Sequence, residues 1–177
     1  MGEGIFMSTL IRYANLDDSA ALGRILSESS QAGFKDIIPD HILNDIFSVE
    51  RRTERFISEL SEGSPKTIIA FNENEPAGLI SFGKPRDDNS EKSCIEIWRV
   101  YLLSKFWGSG ISKELIEWGI NEILKEGLTT IELWVLEENI RARNFYDKIG
   151  FQYDNTFRIT NMGGKEVKEL RYIIAHE

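Results

Sequence analysis

The fold of this chain is decided by the stretch VYLLSKFWGSGISK, residues 100–113. An apolar and β-branched run from Ile95 to Leu102 leads into a short turn, Gly108 and Gly110 follow, and an amphipathic pattern then begins. This order is typical of a strand, a glycine loop and a helix N-terminus. A helix N-terminus has unpaired N–H groups and partial positive charge, and glycines let an anionic ligand approach the backbone. These residues alone leave two interpretations open: an anion-binding loop, or an ordinary loop before a helix.

The bulk properties predict one globular domain. The chain has 177 residues, of which 41% are hydrophobic and 28% charged, which suits a single domain with a sizeable core. We expect the domain to cover residues 8–177, with residues 1–7 a leader outside the fold. The sequence has no apolar run of the roughly 20 residues that a membrane span needs, and it begins without the pattern of a signal peptide. The single cysteine, Cys94, suits a reducing compartment, so a cytoplasmic location is expected.

The charge pattern limits the classes of partner and ligand that the chain is expected to bind. The net charge is −8 and no block of Lys or Arg is present, which argues against nucleic acid as a partner and weakly favours a cationic substrate. No Cys/His cluster has the spacing of a metal site, so no metal is predicted. Arg51, Arg52 and Arg55 are interpreted as an exposed helix face.

The remaining periodicity predicts a mixed α/β (α+β) chain in the order β-α-α-α-β-β-β-α-β-α-β-β. A helix starts near Asp17, and residues 31–39 are expected to form a loop. Glu96 lies four residues ahead of Val100 in one predicted strand, so the period of two places both on the same face. The predicted strands are residues 8–13, 66–71, 76–82, 93–103, 129–136, 151–159 and 167–175, and a polar loop is expected at residues 84–92.

A second motif, NIRARNFYDKIGF at residues 139–151, follows the next predicted helix and strand. Together the two stretches form a strand, a loop, a helix, a strand and a helix. With the glycine loop before it, the chain resembles the GCN5-related N-acetyltransferase (GNAT) superfamily. The family's pyrophosphate loop reads Arg/Gln-x-x-Gly-x-Gly/Ala, and here it is WGSGIS, residues 107–112. Trp107 and Ser112 depart from that pattern. Neither departure removes the mechanism, because backbone N–H groups hold the phosphates.

The resemblance implies the GNAT fold, a central mixed, mostly antiparallel twisted sheet of about seven strands flanked by about four to five helices. It also implies acetyl-CoA as co-substrate. Backbone groups at the end of the fourth strand would pair with the pantetheine arm, the glycine loop would hold the pyrophosphate, and the second motif would contact the arm and the thioester. The implied cofactor-binding positions are Val100, Tyr101, Leu102, Gly108, Ser109, Gly110, Ile111, Ser112, Lys113, Asn139 and Phe145.

Two residues would carry the chemistry. Tyr146 matches the family's general acid, and a phenol is a suitable proton source for a leaving thiolate. Its alternative is a tyrosine that only packs. Glu96 is the candidate base, acting directly or through water, with an exposed strand residue as its alternative. The N–H of Leu102 would stabilise the developing oxyanion.

The resulting hypothesis is an acetyl-CoA-dependent N-acetyltransferase. The acceptor is a primary amine: a small cationic amine, a polyamine, an amino acid, an antibiotic or a protein amine. The alternative from another class is a non-catalytic acyl-CoA-binding sensor or scaffold of the same fold. A nucleotide triphosphate site is disfavoured, because no Gly-Lys-Ser/Thr follows the glycine loop. A homodimer is left open.

Overall fold

The computed structural model describes residues 8–87 and 93–176. The predicted leader, residues 1–7, and the end of the predicted polar loop, residues 88–92, lie outside the described residues. Seven strands and five α-helices follow the predicted order. They are β1 (Thr9–Tyr13), α1 (Ser19–Gly33), α2 (Asp40–Ile46), α3 (Val49–Glu62), β2 (Lys66–Asn72), β3 (Glu75–Gly83), β4 (Cys94–Leu102), α4 (Ile111–Lys125), β5 (Thr130–Leu136), α5 (Ile140–Ile149), β6 (Gln152–Met162) and β7 (Lys165–Ala175).

Helix α1 runs further than the sequence pattern predicted. It continues to Gly33, so the expectation of a loop from residue 31 is wrong for its first three positions. The last turns of α1 bury serines such as Ser29 and Ser30 rather than aliphatic side chains, so the apolar period that marks a helix fades before the helix ends. At the other end, the Asn15 side chain caps a 3₁₀ turn, Leu16–Asp18, that leads directly into α1.

The sheet order is β1-β2-β3-β4-β5-β7-β6. The pairs are antiparallel except β4 with β5, which run parallel. This confirms the mixed, mostly antiparallel sheet. The β4–β5 pairing ends at Ile97 and Leu133, so the remainders of the two strands diverge and leave an opening in the sheet.

Helices cover both faces of the central strands. Gly119 of α4 lies against Ile80 of β3, so α4 covers one face. Arg99 of β4 contacts Phe56 and Glu59 of α3 on the other face. Ile68, Ile69, Leu79 and Ile80 are fully buried, as expected for strands with a helix layer on each side. Within the part of the chain that the structure describes, no helix is both long and apolar enough to cross a membrane.

A one-residue irregularity in β4 changes which side chains share a face. Ser81 of β3 lies opposite Arg99, and the next residue, Phe82, lies opposite Ile97, so Trp98 is an extra residue in β4. An inserted residue reverses the alternation of side chains along a strand. The expectation that Glu96 and Val100 share a face is therefore wrong: Val100 lies beside Ile80 on the α4 face, and Glu96 lies on the α3 face with Arg99.

Candidate active site

A cleft of about 920 Å³ lies where β4 and β5 diverge. Its walls are residues 98–102 of β4 and residues 134–136 of β5. The glycine loop and the start of α4 form one end, α5 forms one side, and side chains of α1 and α3 reach in from the opposite face. The cleft therefore joins the two sequence motifs, which are about 30 positions apart in the chain.

The glycine loop presents open backbone to the cleft. Gly108 and Gly110 have φ angles of +77° and +90°, and a Cβ at either position would meet nothing within 4 Å. Gly110 is the N-cap of α4 and supplies no side-chain cap. Among residues 8–87 and 93–176, no backbone carbonyl accepts from the N–H groups of these two glycines. The loop therefore carries unsatisfied donors at the positive end of a helix, as an anion site requires.

The other loop positions divide into two groups. Ser112 and Lys113 line the cleft, whereas the side chain of Ile111 is 4% exposed and packs in the core. Ser109 does not line the cleft, and its hydroxyl accepts from the N–H of Ile111 at 3.4 Å. In the first turn of α4, helix geometry leaves the N–H groups of Ser112 and Lys113 without an intrahelical acceptor, and both residues line the cleft.

The end of β4 supplies backbone groups on its open side. The N–H of Leu103 donates to Ala77 of β3 at 2.9 Å. Successive residues of a strand present their N–H and C=O groups to opposite sides. The backbone groups of Tyr101 therefore also face β3, whereas the backbone groups of Val100 and Leu102 face the cleft. The side chain of Tyr101 lies in the cleft, on the α1–α3 face.

Trp107, which departs from the family pattern, bridges the loop and the strand. Its indole Nε1–H donates to the carbonyl of Leu102 at 3.0 Å. The guanidinium of Arg141, in the first turn of α5, stacks on its ring at 3.5 Å from the centroid. Burial lowers the pKa of Arg141 from its usual value. A tryptophan here therefore links β4 to α5 across the cleft, which an arginine or glutamine would not do in this way.

Tyr146 lies inside the cleft in an aromatic cluster. Its ring centroid is 5.4 Å from that of Phe145, 6.0 Å from Phe151 and 6.5 Å from Tyr172. Burial, and next the nearby Tyr101 hydroxyl, raise the pKa of Tyr146 well above its ordinary value, while Arg141 acts in the opposite direction. The hydroxyl is therefore protonated throughout the neutral range, as a proton donor must be.

Asn139 and Phe145 also line the cleft. Asn139 is 8% exposed, and its Oδ1 accepts from the N–H of Ala142 at 3.2 Å, so it caps α5. The side-chain oxygen of Asn139 is thus occupied by the helix cap, and the side-chain amide nitrogen is the group that can donate to a ligand.

Glu96 is fully buried and does not line the cleft. Its Oε2 accepts from the backbone N–H of Arg86 at 2.7 Å, and its Oε1 accepts from Nε of Arg86 at 3.0 Å and also from Nη2. Arg86 lines the cleft and stacks on Trp98, with 5.0 Å from the guanidinium carbon to the ring centroid. Both oxygens of the predicted base are therefore engaged by an arginine of the site.

Sequence reasoning missed the arginines of the α3 side. Arg52 lines the cleft and stacks on Phe47 at 4.8 Å, so its interpretation as part of an exposed helix face is wrong. Arg99 is 12% exposed in its side chain and binds Glu59 at 2.9 Å. A helical wheel shows that Arg52 and Arg55 are neighbours on α3, but not that a cleft opens beside one of them. No group of three or more His, Cys, Asp or Glu side chains in the described ranges is placed to hold a metal ion.

Known proteins of similar sequence and fold place the chain in a family. The sequence model of the family described as "Acetyltransferase (GNAT) family" matches residues 37–151. An uncharacterized N-acetyltransferase of Bacillus subtilis is 24% identical over 131 residues, covering 73% of this chain and 72% of that protein. The chain belongs to the GNAT acetyltransferase family.

Solved structures agree with this fold. PaiA N-acetyltransferase of Thermoplasma acidophilum, in complex with coenzyme A, has a TM-score of 0.76 at 20% identity, covering 96% of this chain and all of that one. An acetyltransferase structure from Salmonella typhimurium, with its cofactor acetyl-CoA, has a TM-score of 0.68 at 18% identity, covering 94% and 93% of the two chains. Both proteins share the architecture described above.

Proposed function

We propose that this chain transfers the acetyl group of acetyl-CoA to a primary amine in the cleft between β4 and β5. The observation that carries the proposal is the joining of three features in one cavity: the open backbone of β4, the glycine loop at the N-terminus of α4, and the buried hydroxyl of Tyr146. The family membership and the coenzyme A complexes of similar folds support the same co-substrate.

The acetyl-CoA site extends along the cleft. The open N–H groups of the Gly108–Lys113 loop would bind the pyrophosphate. The backbone of Val100 and Leu102 would pair with the pantetheine amides as an added strand does. Asn139 would donate its amide N–H to the same arm, and Phe145 would flank the thioester. Because the arm would run from the glycine loop back along β4, the acetyl carbonyl would lie beyond Leu102, near the N–H of Val100, which becomes the proposed oxyanion donor in place of that of Leu102.

The reaction would proceed by direct attack. The neutral amine forms a bond to the acetyl carbon, the carbon–sulfur bond breaks, and the leaving thiolate takes a proton from the hydroxyl of Tyr146. The proton lost by the amine passes to a base or to water. Burial raises the pKa of Tyr146 and so makes the phenol a weaker acid than in water. Burial of the leaving thiolate in the same cleft would raise the pKa of its thiol in the same direction, which keeps the proton transfer between them matched.

The proton acceptor is the second part of this proposal. Glu96 lies on the α3 face beside the cleft, but both its oxygens bind Arg86. Transfer to Glu96 therefore requires Arg86 to release one oxygen, or a water molecule to carry the proton. If Glu96 is the base, Glu96→Gln removes the acidic limb of the rate–pH profile. If Glu96 only holds Arg86, the profile keeps its shape and the KM for the acceptor rises.

The function is tested by mixing the protein and acetyl-CoA with a panel of amines and measuring the release of free thiol, with mass spectrometry of the acetylated product. We expect amine-dependent thiol release and an N-acetyl product. The rival function is a sensor or scaffold that binds acyl-CoA without turnover. Tight binding of coenzyme A with no thiol release for any amine would favour that rival and contradict the enzyme proposal.

A further inference from the structure

Arginines outnumber carboxylates on the α3 side of the cleft. Arg52, Arg55 and Arg99 gather around one buried carboxylate, that of Glu59. Arg55 and Arg99 both donate to Oε1 of Glu59, at 2.7 and 2.9 Å. Glu59 is 3% exposed and lies behind the cleft wall rather than on it. Two guanidiniums thus share one carboxylate, and Arg52 forms no ion pair with it.

Arg52 is the member of this group without an ion pair among the described residues. Its Nη2 donates to the carbonyl of Ile46, its plane stacks on Phe47, and its Nε is buried with no hydrogen-bond partner. Burial is the largest cause that lowers the pKa of Arg52; Tyr101 and Glu59 act to raise it, and repulsion from Arg99 and Arg55 acts to lower it. An anionic group bound beside Arg52 would remove both costs, since it would supply the missing acceptor and the missing counterion.

Aromatic side chains connect Arg52 with the reacting end of the cleft. Phe47, under the guanidinium, is 5.7 Å from Phe34, and Phe34 is 6.5 Å from Tyr101 near the end of β4. Arg99 precedes Tyr101 by two residues on the same face of β4. Arg52 and Arg99 therefore line the cleft on the α1–α3 face, where the side chain of Tyr101 also lies. The proposed coenzyme A site uses the β4 backbone, the glycine loop and α5, so this face is the one left for the acceptor.

In the part of the chain that the structure describes, the other residues that line the cleft also carry positive charge and hydrogen-bond donors without partners. Among the described residues, seven Arg and Lys side chains and one carboxylate, that of Glu169, line the cleft, although the whole chain has a net charge of −8. Three of these arginines pair with carboxylates: Arg86, Arg99 and Arg158. Two other lining residues, Ser29 and Trp134, hold a buried hydroxyl and a buried indole nitrogen without partners in the described ranges. Both groups can donate a hydrogen bond, as Nε of Arg52 can. The cleft therefore offers unused donors and positive charge.

We propose that the acceptor is an amine that also carries a carboxylate, and that Arg52, assisted by Arg99, binds that carboxylate while the amine faces the thioester. This inference rests on the proposed acetyl transfer and names its substrate class. It replaces the expectation of a cationic amine, which was drawn from the charge of the whole chain. A polyamine would place further positive charge beside arginines that already repel one another.

The first test compares matched acceptors on the wild-type protein: amino acids, the same amino acids with the carboxylate converted to an amide, and polyamines. We expect kcat/KM for the acids to exceed that for their amides on the order of 10- to 100-fold, the effect of a hydrogen bond to a charged group. Equal or better turnover of amides or polyamines would overturn the inference.

The second test uses Arg52→Met, which keeps an unbranched apolar side chain and removes the charge. Arg51→Met is the matched control, because Arg51 is the neighbouring arginine, has a side chain 60% exposed, pairs with Asp45 and does not line the cleft. We expect Arg52→Met to lose the preference for acids over amides with little change in the KM for acetyl-CoA, and Arg51→Met to keep it. Retention of the preference by a folded Arg52→Met protein would overturn the role of Arg52.

A binding measurement separates this inference from the proposed function. Thermal melting of the wild-type protein with saturating coenzyme A and each acceptor needs no turnover. Greater stabilisation by acids than by their amides supports the carboxylate site even where no thiol is released, in which case the acetyl-transfer proposal alone has failed. Thiol release with no preference for acids has the opposite meaning: transfer stands and the carboxylate site is overturned.

Discussion

Replacement of Tyr146 by phenylalanine removes one oxygen atom from the proposed site and little else. The ring keeps its contacts with Phe145, Phe151 and Tyr172, which lie 5.4 to 6.5 Å away between centroids. The lost hydroxyl lies in a buried environment that keeps it protonated. A positioned general acid contributes roughly 100-fold or more to a rate, so we expect Tyr146→Phe to lower kcat about 100-fold, equivalent to about 2.7 kcal/mol of barrier.

The assay is steady-state thiol release at saturating acceptor, with kcat and the KM for acetyl-CoA determined separately. We expect that KM to change less than about threefold, because the hydroxyl acts on the leaving thiolate rather than on the bound thioester. Tyr153→Phe is the matched control: Tyr153 stacks on Tyr172 at 6.0 Å in the same cluster but does not line the cleft. A kcat for Tyr146→Phe within twofold of wild type would refute the acid role.

Three further perturbations test the fold and the loop. Gly23→Ala places a Cβ 2.1 Å from Oγ1 and 2.8 Å from the backbone N of Thr53. Overpacking of about 1–3 kcal/mol outweighs the better helix propensity of alanine, so we expect a calorimetric Tm below that of wild type. A higher Tm would contradict this expectation. Gly110→Ala forces a Cβ onto a residue with φ of +90°, at a cost of about 1 kcal/mol. Because the loop would relax to avoid this cost, coenzyme A binding measured by titration calorimetry should weaken about fivefold. An unchanged affinity would contradict the role of the loop in binding. Burial acts to raise the pKa of Asp18, but the ion pair with Arg12 and the hydrogen bond from the N–H of Asn15 outweigh burial and lower that pKa. The Asp18 carboxylate therefore stabilises the fold at neutral pH, and this stabilisation is lost as the pH falls below about 4. The Tm of wild type should decline more steeply with acid than the Tm of Asp18→Asn, and parallel declines would contradict this role of Asp18.

The sequence predicted the element order because its periodic segments and breakers agree with the final packing. The strand–glycine–helix junction at residues 100–113 forms as expected, since Gly108 and Gly110 adopt the positive φ angles that favour glycine. Helix ends were less predictable. Helix α1 continues to Gly33 through buried serines, because tertiary contacts rather than an apolar period hold its last turn.

The face of each β4 side chain could not be read from the sequence. The extra residue at Trp98 becomes evident only from the pairing with β3, and it separates Glu96 from Val100. The same limit applies to Arg52, whose surroundings depend on how α3 packs beside β4. A single sequence gives the order of charges along the chain, but not which of them are paired. The pairing of Glu96 with Arg86 and the lack of an ion pair at Arg52, within the described ranges, both follow from the fold.

A crystal structure of this chain with coenzyme A bound tests the central claim most directly. The account predicts that the pyrophosphate lies on the N–H groups of the Gly108–Lys113 loop and that the pantetheine arm lies between β4 and β5. Its amides should pair with the backbone of Val100 and Leu102, and its sulfur should lie within hydrogen-bond reach of the hydroxyl of Tyr146. Coenzyme A bound outside the β4–β5 cleft, or a sulfur remote from Tyr146, would contradict the account.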